Sequence, residues 1–296
     1  MKKQFRIGII GTENTHAFGF SGMFNQKNEN GEFLYPDCRV TLVYGYDVAA
    51  SARVVNEFGA AAIANSIEEM VGKVDAVMIT ARDGKFHAEF ALPFIQAGIP
   101  AFIDKPFTCD TKEAVDLVRL AKEKGVPLVG GSSLKYADGI RELKKIKDAT
   151  KDQVKTGTIS APLSMHNAYS GFWFYASHLA EMCMEVFGWK PKSVMATENH
   201  NSVSAIVDYE EYSITCNFVN DCFESYSGIV FSDKAHVKEI SLDKILRYEC
   251  DAFVEMLRTG KMSHSYYELI APVFFLDAVK KSYETNKKVD IKYTEI

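Results

Sequence analysis

Phe5-Arg6-Ile7-Gly8-Ile9-Ile10-Gly11-Thr12-Glu13-Asn14-Thr15-His16 is the stretch on which the fold turns. A short apolar strand runs into a glycine, and polar residues suited to a helix start follow. In a parallel sheet, such a strand, turn and helix N-terminus aim free N–H groups at a phosphate. Only Gly11 of the fingerprint G-x-G-x-x-G is present. Glu13 stands where a second glycine would admit a pyrophosphate, so either its carboxylate points to solvent or the phosphate site is altered. A plain strand-to-helix turn is the alternative reading.

From this turn to residue 129, β-branched runs alternate with segments of helical period, the pattern of a doubly wound parallel α/β sheet. Strands are predicted over 5–10, 39–44, 76–80, 101–103 and 127–129. Asp110 to Glu113 resembles a capping box, Ala114, Val115, Val118 and Ala121 follow at helical spacing, and Gly125 supplies the stop. A further helix is predicted over 86–97, ending at Gly98, with irregularity at Pro93, which lacks an N–H. Asp47, after the second strand, fits the acidic position that accepts ribose hydroxyls and disfavours a 2′-phosphate, and it fits a helix N-cap equally well. Its distance from Gly11 exceeds the usual spacing. The excess is assigned to a loop over 28–37 that enters strand two from the end away from the cofactor.

After residue 130 the rhythm changes. One helix is predicted over 140–147, then a polar stretch over 148–157, then long strand-like runs over 158–168, 192–208, 212–220 and 223–240. Strands in succession imply an α+β part with a large, open, mostly antiparallel sheet. Two closing helices are expected, one carrying Leu246, Cys250, Phe253 and Leu257 and stopping at Gly260, the other opening at Ser265-x-x-Glu268. Residues 1–129 are therefore read as a dinucleotide-binding domain and 130–296 as a substrate-binding and oligomerisation domain.

Composition bounds the partners. The 296 residues carry a formal net charge of −5, which provides no basic field for nucleic acid. The apolar run near the start is too short for a secretion signal and no segment reaches membrane-spanning length, so a cytoplasmic protein is expected. The six cysteines show no C-x-x-C pairing and are read as reduced. The histidines show no metal-ligand spacing, so no metal is expected.

The string Asp104-Lys105-Pro106-Phe107 follows the buried strand at 101–103, where a lysine is aimed at the crevice beyond the strand ends. With it go Asp75 to Thr80, His87, Glu89, Ala97-Gly98-Ile99-Pro100, and Phe253 to Lys261 near the C-terminus. Together these resemble the glucose-fructose oxidoreductase/inositol dehydrogenase (Gfo/Idh/MocA) family, whose Glu-Lys-Pro is here Asp104-Lys105-Pro106. The resemblance implies a Rossmann domain, a second domain on an open sheet, and NAD between them, NADP being disfavoured by Asp47. It implies cofactor contacts from Gly11, Thr12, Glu13, Asn14, His16, Asp47, Arg53, Thr80, Ala81, His87, Asp104 and Lys105. Lys105 would contact both nicotinamide ribose and substrate hydroxyl, where an ammonium can stabilise a developing alkoxide.

In the inositol dehydrogenase branch an aspartate precedes a histidine by four residues. Here His178 matches the histidine and Phe174 takes the aspartate's place, so Glu181 is the candidate substitute partner and Tyr175 a candidate proton donor. His166, Tyr169, Trp173 and Lys135 are candidate contacts to a sugar or polyol, the aromatic ones being equally natural as core. The reaction implied is NAD-dependent oxidation of a secondary alcohol on a sugar, polyol or cyclitol, by a homodimer or homotetramer. Two alternatives stand beside it: an NAD-dependent glycosidase acting by transient C3 oxidation, and a non-catalytic sensor of dinucleotide or sugar, for which Glu13 and Phe174 are the motive.

Overall fold

The first sheet grows from the opening strand. In the computed structural model, which describes residues 4–150 and 153–296, β1 (Phe5–Ile10) is the centre of six parallel strands. The others are β2 (Cys38–Tyr44), β3 (Ala62–Ile63), β4 (Ala76–Ile79), β5 (Ala101–Asp104) and β6 (Leu128–Gly131), in the order β3-β2-β1-β4-β5-β6. The winding direction reverses between β1 and β4, so their carboxyl ends open a crevice at a topological switch point. The N-terminal helices are α1 (Thr15–Asn25), α2 (Val48–Phe58), α3 (Ile67–Met70), α4 (His87–Gln96) and α5 (Thr111–Lys124).

Strand alternation decides which helix lies on which face. Ile7, Ile9, Ala76, Met78 and Phe102 point to one side, where Phe20 and Phe24 of α1 and Val54 of α2 meet them. Ile10, Val77, Ile79, Ala101 and Ile103 point to the other, against α4 and α5. Asp110 caps α5 by accepting from the N–H groups of Lys112 and Glu113, and Gly125 ends it in the left-handed conformation, as the spacing predicts. Pro93 sits inside α4 without ending it. The extra loop before β2 lies at that strand's N-terminal end, where Asp37 pairs with Arg258 at 2.6 Å.

The second sheet is built by β7 (Thr156–Leu163), β8 (Ser193–Asn199), β9 (Ser202–Asp208), β10 (Ser213–Asn220), β11 (Ser227–Phe231), β12 (Ala235–Glu239) and β13 (Val289–Asp290). Their order is β12-β11-β7-β10-β9-β8-β13, antiparallel throughout except for the parallel pair β7–β10. Two runs that read as single strands are hairpins. One breaks after Asn199, whose side-chain oxygen accepts from the amides of Asn201 and Ser202, and the other at Ser232-Asp233-Lys234. The two-residue strands β3 and β13 are too short for any periodicity to reveal. Residues 151 and 152 of the predicted polar stretch lie outside the described residues.

Helices α6 (Asp138–Ala149), α7 (Phe172–Phe187) and α9 (Tyr266–Thr285) cover one face of this sheet, α9 opening with the capping box at Ser265 and Glu268. The other face leaves Ile206 and Val237 exposed. Helix α8 (Ile245–Thr259) returns to the first sheet instead: the Phe253 ring lies 6.2 Å from that of Phe102 and 6.3 Å from that of Phe24. Late in the chain, it buries Glu249 within electrostatic reach of Asp104 and Lys105.

Candidate functional site

The turn after β1 is shaped by close backbone approach. Gly11 has φ 97°, and a Cβ there would lie 2.2 Å from the Ala81 nitrogen in the loop after β4. Thr80, fully buried, donates its hydroxyl toward the carbonyls of Ile10 and Gly11 at 3.2 and 3.0 Å, tying the two strand ends together. Thr12 is held from the other side by Ser51 of α2, hydroxyl to hydroxyl at 2.8 Å. Asn14 caps α1, its side-chain oxygen accepting from the His16 amide at 3.2 Å. These contacts leave a glycine cradle at a helix N-terminus, which suits a pyrophosphate.

Glu13 neither faces solvent freely nor dismantles this cradle. One carboxylate oxygen accepts from the Arg82 amide at 3.0 Å, and the other is buried without a hydrogen-bond partner. Together with Tyr46, Asp47, Arg82, Phe86, Phe90 and Tyr169 it lines a cavity of about 440 Å³. Asp47 is exposed and caps α2 by accepting from the Ala50 amide at 3.0 Å. The cradle and Asp47 fit a dinucleotide, whose phosphates the Glu13 carboxylate would repel.

Other expected cofactor contacts have structural duties. His87 is fully buried, its ring nitrogens 2.7 Å from the Pro106 carbonyl and 2.8 Å from that of Ala81, so it staples the loops after β4 and β5. Arg53 lies on the exposed side of α2, paired with Glu57 at 2.8 Å and stacked over Phe18.

Lys105 follows β5 directly. Its side chain turns inward, the residue only 5% exposed, and the ammonium lies 3.7 Å from the centroid of the Phe174 ring and 5.9 Å from that of Tyr175. Burial lowers its pKa from the usual lysine value, Asp104 opposing that drop. Asp104 is itself fully buried and accepts from His16 Nδ1 at 2.8 Å, Asn14 Nδ2 at 3.2 Å and the Lys105 amide at 2.7 Å. Burial would raise this carboxyl, but His16, Lys105 and His87 outweigh it and keep it ionised. A desolvated cation thus sits over aromatic faces beside an anion fixed by α1.

Helix α7 supplies the opposite wall. His178 is buried, and burial, with Lys105 and His16 nearby, pushes its pKa well below the ordinary value, so the ring is neutral. Glu181 does not replace the missing aspartate. Its oxygens accept from the Ser132 amide and the Lys135 ammonium, each at 2.6 Å. His178 Nδ1 lies 2.7 Å from the Ser132 hydroxyl, a contact no local motif announces because Ser132 is 46 residues away in the chain. Tyr175 is half-buried, its ring 5.9 Å from that of His178 and 5.4 Å from that of Phe223. Glu249 of α8 went unread in the sequence. Both its oxygens are buried without hydrogen-bond partners, and burial, with Asp104 adding to it, pushes its pKa far up.

The expected substrate contacts scatter. Tyr169 lies under Arg82, guanidinium to ring 4.5 Å, on the same cavity as Glu13. His166 is exposed and lines a different cavity of about 460 Å³ with Glu198, His200 and Asn220, at the end of the second sheet. Trp173 is half-buried against Phe172. Lys135 is enclosed, its side chain 1% exposed, and it donates to Glu181 and to the Gly130 carbonyl. Among the described residues no group of three His, Cys, Asp or Glu side chains could hold a metal ion, and no helix is long and apolar enough to cross a membrane.

Comparison with known proteins bears on this arrangement. An inositol 2-dehydrogenase of Saccharopolyspora erythraea is 29% identical over 165 residues, which is 54% of this chain and 44% of that enzyme. A scyllo-inositol 2-dehydrogenase (NADP(+)) of Bacillus subtilis is 30% identical over 111 residues, 37% of this chain and 34% of that one. The matches thus span less than half of these curated relatives. Over its whole length the chain shares the fold of the Lactobacillus casei scyllo-inositol dehydrogenase solved with NAD(H) and scyllo-inositol, with TM-score 0.82 at 15% identity, covering 98% of this chain and 99% of that one. Residues 5–132 match the model described as the oxidoreductase family, NAD-binding Rossmann fold.

Proposed function

We propose that this chain is a cytoplasmic, NAD-dependent dehydrogenase that oxidises a secondary alcohol of a sugar, polyol or cyclitol, or reduces the corresponding ketone. The observation that carries the reading is the juxtaposition across the crevice: Lys105, at the carboxyl end of β5, lies 3.7 Å from the Phe174 ring of α7, the helix that carries His178. In this reading residues 1–129 hold the dinucleotide, through the Gly11 turn and Asp47, and residues 130–296 hold the substrate. NAD, when bound, supplies the hydride acceptor. The chain's own groups do the rest. The Lys105 charge would stabilise the alkoxide that forms as the hydroxyl proton leaves and the carbinol hydrogen departs as hydride, which lowers the barrier because that charge develops only along the reaction. Neutral His178 is able to take that proton, since burial keeps its ring unprotonated. The exposed outer face of the second sheet, with Ile206 and Val237, supports a homodimer or homotetramer.

Calorimetry with NAD⁺ and NADP⁺, followed by absorbance of NADH with myo-inositol and scyllo-inositol, tests the reading. NAD⁺ is expected to bind more tightly than NADP⁺ and NADH to accumulate, with Lys105→Met lowering kcat by on the order of 10². Absence of binding by either dinucleotide would overturn it. The Glu13 carboxylate on the Arg82 amide favours a second reading, a dinucleotide sensor, which tight NAD⁺ binding without turnover would single out. NAD⁺-dependent cleavage of a glycoside without net NADH would mark the glycosidase.

A further inference from the structure

His178 has no carboxylate on its own helix to orient it. One turn earlier stands Phe174, and one turn later Glu181 commits its oxygens to the Ser132 amide and the Lys135 ammonium, each at 2.6 Å. The group that meets the imidazole comes from the end of the first sheet: the Ser132 hydroxyl, 2.7 Å from Nδ1.

Ser132 is held more firmly than a filler residue would be. It is fully buried, its amide is clamped by Glu181, and its hydroxyl oxygen accepts from the Leu134 amide at 3.2 Å. Gly131 makes the clamp possible: at φ +82° it brings the chain so close that a Cβ would lie 2.3 Å from a Glu181 oxygen. Helix α7 therefore grips this one serine twice, through His178 at the side chain and through Glu181 at the backbone.

A hydroxyl is chemically unlike the carboxylate it stands in for. A carboxylate only accepts, so it would fix the proton on Nδ1 and stabilise an imidazolium. Ser132, with one lone pair engaged by Leu134, keeps a second lone pair and its own proton, so it can receive Nδ1–H or donate to a bare Nδ1. We infer that Ser132 is the positioning residue for His178, setting the ring's orientation from Nδ1 and biasing the tautomer balance that determines whether the other ring nitrogen carries a proton. Its consequence for turnover rests on the dehydrogenase reading; the tautomer itself does not.

The test is nitrogen NMR of protein labelled with ¹⁵N-histidine, with NAD⁺ present, His178 being assigned by the resonances lost in His178→Gln. Ser132→Ala is expected to change the Nδ1 and Nε2 shifts of His178 as the tautomer balance moves. Ser132→Cys keeps the packing with a weaker donor, should give an intermediate change, and carries the test if the alanine variant does not fold. In parallel, Ser132→Ala should lower kcat for NAD⁺ reduction with scyllo-inositol roughly tenfold, the loss of one hydrogen bond to the proton-accepting group, with KM for NAD⁺ unchanged. His178 shifts unaltered in a folded variant would overturn the assignment. Shifts that move in a protein whose wild type makes no NADH would uphold the positioning role and sink the dehydrogenase reading instead.

Discussion

Replacing Lys135 by methionine separates two accounts of this residue. The ammonium and the Glu181 carboxylate are 2.6 Å apart with side chains 1% and 3% exposed. Burial disfavours the charge on Lys135, but Glu181 outweighs it and holds the lysine protonated. Methionine keeps most of the stem's packing and deletes the charge, so the dominant cost is a buried carboxylate left without its cation. Breaking such a pair from one side costs about 3–5 kcal/mol. The lower end applies, because the Ser132 amide remains and Glu181, whose pKa burial already raises, can take up a proton. A loss of about 3 kcal/mol lowers Tm by roughly 5 °C in a chain of this size. The assay is a thermal melt beside steady-state KM for a polyol, with Lys135→Met/Glu181→Met as the control that removes both charges and should regain most of the loss. An unchanged Tm with a raised KM would refute the reasoning and return Lys135 to the substrate contacts.

Glu13→Gly removes a carboxylate from the phosphate turn, so Kd for NAD⁺ should fall about fivefold, worth about 1 kcal/mol; calorimetry that shows a weaker Kd would mean the Arg82 contact serves the site. Asp47→Ser keeps the α2 cap, since serine caps as well, and deletes the charge: Tm should hold while the NAD⁺/NADP⁺ affinity ratio falls roughly tenfold, and an unchanged ratio would detach Asp47 from the ribose. His178 is neutral when folded but takes a proton near 6.5 when unfolded. Its depressed folded pKa means that stability is lost as pH falls below about 6.5, by up to about 1.4 kcal/mol per pH unit. Urea melts at pH 7.5 and 5.5 should show that slope reduced in His178→Leu, though not abolished, because burial lowers the pKa of His264 as well; equal slopes would show that His178 is not held neutral.

Much of the site was readable because it sits at strand ends. Gly11, Asp47 and Asp104-Lys105 each follow a strand whose apolar run is self-evident, and the crossover rule sends all those ends to one edge of the sheet. The positions within α7 were readable as spacings: four residues from Phe174 to His178, three to Glu181. Their partners were not. Glu181 faced a choice between His178 and a lysine 46 residues upstream, and a charge desolvated at this depth is satisfied best by the opposite charge. His166 was expected on a sheet edge facing the cofactor, yet β7 ends before it and it lines a separate cavity with Glu198, His200 and Asn220.

Periodicity, glycine turns and caps are local, and so the amino-acid order alone determined the parallel first sheet, the crevice at its switch point, the helix boundaries at Asp110, Gly125, Ser265 and Gly260, and the lysine at the crevice mouth. What the tertiary structure alone decided is who meets whom inside. Ser132 reached His178, Glu13 reached the Arg82 amide, Lys135 was sealed against Glu181, and α8 crossed back to bury Glu249. Such pairings depend on which chain segments packing brings within 3 Å, and on the cost of leaving a buried polar group unpaired, neither of which any window of sequence contains.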